Sequence, residues 1–151
     1  KSVGVLGLAG LLAWSWPTEL PAADPTTGAA QVAEGGWLPY EEAALERFAA
    51  EGRPVFVDFT AAWCVSCQVN KRLVLNTDET LSAFAQSKVV LMRADWTRRD
   101  AVITQALARL GRNGVPVYAL FRPGRETLLL PEILTQSSLR EALSTLQDPR
   151  S

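Results

Sequence analysis

The sequence predicts an α/β fold, a three-layer sandwich with a mixed central sheet. Stretches with apolar residues at helical spacing alternate with short runs of β-branched and aromatic residues, which is the order that crossover connections between parallel strands produce. Near the C-terminus, two strand-like runs flank the turn signal Pro123-Gly124, which predicts an antiparallel hairpin. Parallel and antiparallel pairing therefore belong to one sheet covered by helices.

The first predicted elements are a helix, a strand and a helical region. Residues 41–50 have apolar side chains at helical spacing, and Gly52 follows as a stop signal. Residues 54–60, PVFVDFT, predict a buried strand interrupted by one acidic residue. Residues 67–75 are predicted to be helical, and Thr77 is placed to cap a further helix.

A strand and a second amphipathic helix follow. Residues 89–94 predict the strand because they are almost entirely apolar and partly β-branched. Thr97 and Asp100 resemble a capping box before a helix whose apolar stripe ends at Gly111.

The last predicted elements are the hairpin and a closing helix. Residues 115–121 predict a strand opened by a proline, and residues 127–130 predict its antiparallel partner. Ser137 or Ser138 is predicted to begin the helix that closes the fold.

The composition divides the chain into three predicted parts. Residues 1–18 are apolar and uncharged after Lys1, which predicts the end of a transmembrane helix or a signal segment, with a buried core helix as the alternative. Lys1 at the start and two Trp at the far end favour a segment that starts on the cytoplasmic side, so that the rest of the chain faces the periplasm or the exterior. Residues 19–36 are rich in Pro, Ala, Thr and Gly and predict a flexible linker, and residues 37–148 predict one folded domain.

Charge and residue counts exclude several classes of function. Fifteen Lys and Arg against sixteen Asp and Glu give a net charge of −1, without the basic excess typical of nucleic-acid-binding proteins. The chain contains no His, which excludes His-dependent nucleophilic catalysis and His-containing metal sites within it. The two Cys, Cys64 and Cys67, are too close in sequence to join distant parts of the fold. This spacing points to chemistry at the cysteines.

The C-x-x-C pair is predicted to leave a strand and open a helix, where unpaired backbone N–H groups stabilise a thiolate. Cys64 is then the candidate nucleophile of disulfide exchange, and Cys67, one helical turn later, the resolving thiol that closes the pair into a disulfide. Half a zinc site completed by a second chain and two unreactive core thiols are the alternatives. A c-type haem site is excluded because Gln68 stands where that motif needs His.

Three further residues are candidates for the site. Asp58 interrupts the apolar strand, so burial should raise its pKa and fit it to take the proton of Cys67, unless it only bonds backbone at a strand end. Pro116 follows the turn signal Asn113-Gly114 and is either a cis proline in a tight turn or a trans proline on an edge strand. Trp63 is expected beside the site, whereas the other aromatic residues are expected in the core or lining a groove.

Residues 54–67, PVFVDFTAAWCVSC, followed some fifty residues later by GVP, resemble the thioredoxin superfamily. More narrowly, GRPVFVDFTAAWCVSCQVN, VVLMRADWTRRD, GRNGVPVYALF and LLLPEILT resemble the C-terminal periplasmic domains of DsbD-type and ScsB-type membrane reductases. The resemblance implies a thioredoxin-like fold and a redox-active Cys64–Cys67 disulfide with no other cofactor and no metal. It also implies that Asp58 is the buried carboxyl, that Pro116 is cis and that Val115 offers backbone to an extended substrate. Lys71 stands where some relatives carry a second acidic residue.

The function expected from this resemblance is that of a periplasmic thiol:disulfide reductase. Such a domain would pass electrons from a membrane-embedded donor domain to disulfide-containing periplasmic proteins, at the periplasmic face of the bacterial inner membrane and without a nucleic-acid partner. A membrane-anchored thioredoxin-like reductase of cytochrome c maturation is the alternative. A start codon just upstream of Lys1 would favour this alternative, whereas further transmembrane helices before Lys1 would favour the DsbD-type reductase. A non-catalytic thioredoxin-like binding module is a third reading, and the intact C-x-x-C argues against it.

Overall fold

The computed structural model describes residues 36–147. The predicted membrane or signal segment, 1–18, and the predicted linker, 19–36, lie outside the described residues except for Gly36. Within 36–147, no helix combines the length and the apolar character needed to cross a membrane.

The described residues form a five-stranded mixed sheet with the strand order β1-β3-β2-β4-β5. Strand β3 pairs parallel with β1 and β2, whereas β4 pairs antiparallel with β2 and β5. Both predicted kinds of pairing are therefore present. The strands are β1 Leu38–Pro39, β2 Val55–Thr60, β3 Val90–Asp95, β4 Val117–Phe121 and β5 Leu128–Leu130.

Within residues 36–147, five α-helices and one π-helical segment accompany the sheet. Gly52 and Gly111 end the first and fourth helices at φ +71° and +68°, which confirms both predicted stop signals because glycine adopts this conformation without strain. The helices are α1 Glu42–Ala50, α2 Val65–Asn70, α3 Asp78–Gln86, α4 Ala101–Arg109 and α5 Gln136–Ser144, and the π-helical segment is Lys71–Leu75.

Two apolar cores lie on opposite faces of the sheet, which confirms the predicted sandwich. Alternate residues of β2 reach the two sides, because successive side chains of a strand point to opposite faces. Val57 and Phe59 pack in the core that α1 and α4 cover, and Phe56 packs in the core covered by α3, α5 and the π-helical segment.

The structure differs from the predicted elements mainly at their ends. Strand β1 is two residues long, too short for a periodic signal, and was missed. Helix α4 is capped by Asp100, which accepts hydrogen bonds from Val102 N and Ile103 N, so the predicted capping box at Thr97 is wrong. The closing helix begins after Thr135, whose hydroxyl oxygen accepts a hydrogen bond from Ser138 N.

Candidate active site

The cysteine pair lies where the central strand β2 passes into helix α2. Cys64 is the N-cap of α2, and its Sγ accepts a hydrogen bond from Cys67 N at 3.2 Å. The Ser66 hydroxyl lies 3.5 Å from the same sulfur and can donate to it when the sulfur is a thiolate. A thiolate on Cys64 would thus receive two donors as well as the favourable field of the helix N-terminus.

Cys64 and Cys67 are joined by a disulfide whose Cα atoms are 5.3 Å apart. The two sulfurs differ in access, since 6% of Cys64 is exposed and Cys67 is fully buried. An incoming thiolate can therefore reach only the Cys64 sulfur. This difference is the arrangement that a nucleophilic and a resolving cysteine require.

The loop before β4 packs against the disulfide. The Val115–Pro116 peptide bond is cis, as the resemblance implied. Partly buried Val115 contacts the small cluster formed by Ala61, Cys64 and Cys67. This loop therefore borders the disulfide.

Trp63 is half-exposed beside the disulfide, and the segment after β3 holds it in place. Its indole Nε1 donates to Thr97 O at 3.1 Å, and Thr97 Oγ1 accepts from Ala62 N at 2.8 Å. Arg99, at φ +55°, places its guanidinium 5.5 Å from the Trp63 ring and 5.2 Å from the Trp96 ring. These contacts place a cation next to the cysteine motif and restrict the indole that precedes Cys64.

Asp58 is completely buried and faces a cation on the neighbouring strand. It is in register with Arg93 of β3, whose Nε donates to Asp58 Oδ2 at 3.2 Å. Burial raises the pKa of Asp58, as predicted, while the charges of Lys71 and Arg93 oppose that rise. Oδ1 of Asp58 has no hydrogen-bond partner within residues 36–147, so its lone pairs are free to accept a proton.

Asp58 lies on the same face of the sheet as helix α2 and the π-helical segment. Strand alternation places it with Phe56, away from the core that contains Val57. Half-buried Lys71 is the first residue of the π-helical segment, and burial lowers its pKa while attraction to Asp58 and Asp95 opposes that change. The buried carboxyl is thus linked electrostatically to a partly exposed amine one helical turn beyond Cys67.

The side chain of Asn70 connects helix α2 to strand β4 and to the loop after β5. Its Nδ2 donates to the Tyr118 hydroxyl at 2.9 Å and to Glu132 O at 2.7 Å. Burial raises the pKa of Tyr118 to about 12. The phenol therefore stays protonated near neutral pH and acts as a structural partner of α2.

The structure brings the candidates Cys64, Cys67 and Val115 together after the end of β2. Trp63 directly precedes Cys64, Pro116 follows Val115 through the cis bond, and Asp58 lies within β2, two residues before its end. Arg93, Ser66 and Asn70 were missed as contributors to this site. Only Ser66 had a signal in the sequence, as a hydroxyl between the two cysteines. Within the described part of the chain, no three His, Cys, Asp or Glu side chains are grouped as a metal site would need.

A family model described as thioredoxin-like matches residues 36–123. Among curated proteins, the chain is 36% identical over 110 residues to the thiol:disulfide interchange protein DsbD of Ralstonia nicotianae, covering 69% of this chain and 18% of that protein. It is 37% identical over 83 residues to DsbD 1 of Pseudomonas aeruginosa, covering 55% of this chain and 14% of that protein. The chain therefore spans less than a fifth of the length of these relatives.

The fold is similar to that of solved thioredoxin-like structures. The reduced C-terminal domain of DsbD from Neisseria meningitidis matches with a TM-score of 0.58 at 22% identity, covering 72% of this chain and 98% of that one. At this level of identity the match establishes the shared fold.

The raised pKa of Asp58 predicts how the stability of the oxidised protein depends on pH. The pKa of Asp58 in the folded protein exceeds the ordinary 3.8, so the protonated carboxyl stabilises the folded state. This contribution to the free energy of unfolding is complete below pH 3.8 and is lost as pH rises through the folded pKa. Asp58→Asn should therefore become more stable relative to the wild type as pH rises from about 4 to 7. Urea unfolding at a series of pH values measures this difference.

Glu141→Gln is the control for this experiment, because Glu141 is an exposed carboxylate on α5. Its stability difference from the wild type should stay nearly constant over the same pH range. A wild type that gains stability relative to Asp58→Asn as pH rises would contradict the argument, because the Arg93 ion pair would then outweigh the cost of burial.

Proposed function

Because the chain belongs to the thioredoxin-like family, we propose that it is a thiol:disulfide oxidoreductase that works through the Cys64–Cys67 pair. The observation that carries this proposal is the contrast between the two sulfurs: only Cys64, at the N-terminus of α2, is reachable from solvent. The similarity to DsbD proteins supports the same reaction.

In the first exchange, the Cys64 thiolate of the reduced domain attacks a disulfide of the substrate protein. A bond forms between Cys64 Sγ and one substrate sulfur, and the other substrate sulfur leaves as a thiolate. The Cys67 N–H and the Ser66 hydroxyl stabilise the attacking thiolate before this step. The substrate is then held by a mixed disulfide beside the loop of Val115 and Pro116.

In the second exchange, Cys67 attacks the Cys64 sulfur of the mixed disulfide. The Cys67 proton passes to Asp58, whose Oδ1 lacks a competing donor in the described structure and whose raised pKa suits a general base. The Cys64–Cys67 disulfide forms and the second substrate sulfur leaves, so the substrate gains two electrons and the domain loses two. The charges of Lys71 and Arg93 oppose the rise in the pKa of Asp58, which favours the ionised carboxylate that acts as the base.

We further propose that the domain acts as a reductase at the periplasmic face of the bacterial inner membrane. A membrane-embedded dithiol would reduce the Cys64–Cys67 disulfide, and the domain would pass the electrons to periplasmic disulfide-containing proteins. The similarity to DsbD proteins and the apolar segment 1–18 support this placement. Val65 and Ser66 supply no charge to favour a strongly oxidising pair, which supports the reducing direction.

Replacement of each cysteine should stop the reaction at a different stage. Cys64→Ser should abolish reduction of a disulfide substrate, because no accessible nucleophile remains. Cys67→Ser should instead accumulate a mixed disulfide on Cys64, because the resolving thiol is missing. Non-reducing gel electrophoresis and mass spectrometry detect that adduct. A Cys64→Ser variant that reduces substrate at the wild-type rate would contradict the mechanism.

Asp58→Asn should slow the second exchange by about a hundredfold near neutral pH, because general-base catalysis contributes at least that factor. The defect should diminish at alkaline pH, where Cys67 loses its proton without help. Stopped-flow Trp fluorescence in single turnovers measures the step. Asp78→Asn, the same change at an exposed site on α3, is the control. A defect of equal size at every pH would indicate structural damage and contradict the general-base role.

The redox potential of the pair should lie near that of thioredoxin, about −270 mV, if the domain donates electrons. Equilibration in dithiothreitol or glutathione buffers measures it, because Trp63 fluorescence should change with the state of the adjacent disulfide. A value near about −120 mV, typical of strong oxidants, would contradict the reductase direction and mean that the chain forms disulfides.

A further inference from the structure

The exposed apolar side chains are concentrated on one face of the molecule. Among the described residues, six large hydrophobic side chains are exposed. One of them, Val102, lies on helix α4, away from the cysteines. The other five lie in, just before, or against helix α2 and its π-helical continuation, and we call them the α2 surface: Trp63, Val65, Val69, Leu73 and Ile133.

Three of these residues form a ridge along the helix. Val65, Val69 and Leu73 follow one another at intervals of four, which places them on one side of a helix. Their exposed fractions are 76%, 48% and 64%. The buried side of the same helix is occupied by Cys67 and Asn70. The ridge is therefore apolar surface that the fold itself does not cover.

Ile133 is brought to this helix by the side chain of Asn70. Asn70 donates to Glu132 O at 2.7 Å and accepts from Leu134 N at 3.4 Å, so both neighbours of Ile133 are bonded to α2. Ile133 is nonetheless 77% exposed. The buried Asn70 thus holds the loop that exposes Ile133 to solvent next to helix α2.

The charges near this surface are mainly cationic. Residues 65–75 contain Lys71 and Arg72 and no carboxylate. Lys71 is engaged with Asp58 and Asp95, which leaves exposed Arg72 and, next to Trp63, Arg99. Glu132, beside Ile133, is an exposed carboxylate on the opposite flank.

We propose that the α2 surface is the docking site for the redox partner protein of the Cys64–Cys67 pair, and that this partner presents apolar side chains and carboxylates beside its exchanging cysteine. The inference rests on the proposed function. The supporting observation is that the apolar surface is continuous with the reactive cysteine: Trp63 and Val65 flank Cys64 directly, and the ridge extends from Val65 along the helix. Any protein whose sulfur reaches Cys64 must cover part of this apolar surface.

A partner protein fits this position better than a membrane or a second copy of the chain. A lipid surface on the ridge would cover Cys64 and supplies no sulfur for exchange. A second oxidised copy has no thiol to attack the disulfide. Carboxylates on a partner would complement Arg72 and Arg99, and complementary charge accelerates association.

The test measures how fast the reduced full chain reduces three peptides that each contain one internal disulfide. The first peptide carries Leu and Glu beside its cysteines, the second Leu and Lys, and the third Ser and Glu. The Leu and Glu peptide should react fastest, and its advantage over the Lys peptide should shrink as salt is added. Hydroxyethyl disulfide, which is too small to contact the ridge, reports the intrinsic reactivity of Cys64.

Val69→Ser combined with Leu73→Ser should lower the second-order rate constant for the Leu and Glu peptide by about tenfold, because removing apolar contacts at the centre of an interface has effects of that size. The rate with hydroxyethyl disulfide should not change. Val102→Ser is the matched control, because Val102 is 50% exposed on a different helix. It should leave both rates unchanged.

Equal rates for the three peptides, or an unchanged rate in the double variant, would overturn the inference and leave the proposed function standing. Sedimentation with phosphatidylglycerol vesicles that depends on Leu73, without selectivity among the peptides, would overturn it in favour of a membrane surface. Self-association lost in the double variant, again without peptide selectivity, would overturn it in favour of a second copy. Failure of the wild type to reduce even hydroxyethyl disulfide would overturn the proposed function, and the inference with it.

Discussion

The pairing of strand β2 with a neighbour on each side is the constraint on which the rest of the site depends. All six residues of β2 are buried between β3 and β4, so a shift by one residue would move every side chain to the wrong face. The end of β2 at Thr60 consequently determines where Cys64 leaves the sheet. The pairing of Phe59 with Val117 brings the Val115–Pro116 loop to the same place.

The same central strand carries the one carboxylate that the fold buries completely among its described residues. A buried charge is costly unless a partner compensates it, and Arg93 supplies that partner from the adjacent position of β3. Arg93 is itself positioned by Trp37, whose ring lies 4.4 Å from the guanidinium. The core thus keeps a titratable group in the strand that leads to the redox pair, and the register of β2 and β3 sets which cation faces it.

On the solvent-facing side of helix α2, apolar side chains are exposed instead of buried. Cys67 and Asn70 bury one side of α2, while the other side exposes Val65, Val69 and Leu73 to water. Thr97 and Arg99 restrain Trp63 at one end of this surface, and Asn70 restrains the loop of Ile133 at the other. The hydrogen bonds of Thr97 and Asn70 and the Arg99 contact therefore hold exposed apolar side chains in place, as a protein-binding surface requires.

The sequence by itself determined the fold class, the C-x-x-C pair and the unusual position of Asp58, because periodicity, cysteine spacing and a charge in an apolar strand are local properties of the chain. Two-residue β1 and the exact helix ends escaped it, since such short features carry no periodic signal. Only the tertiary structure decided that Arg93 faces Asp58, that Arg99 lies over Trp63 and that Asn70 places Ile133 beside α2. The residues of these pairs are 35, 36 and 63 positions apart in the sequence, and only strand register and loop packing bring them together.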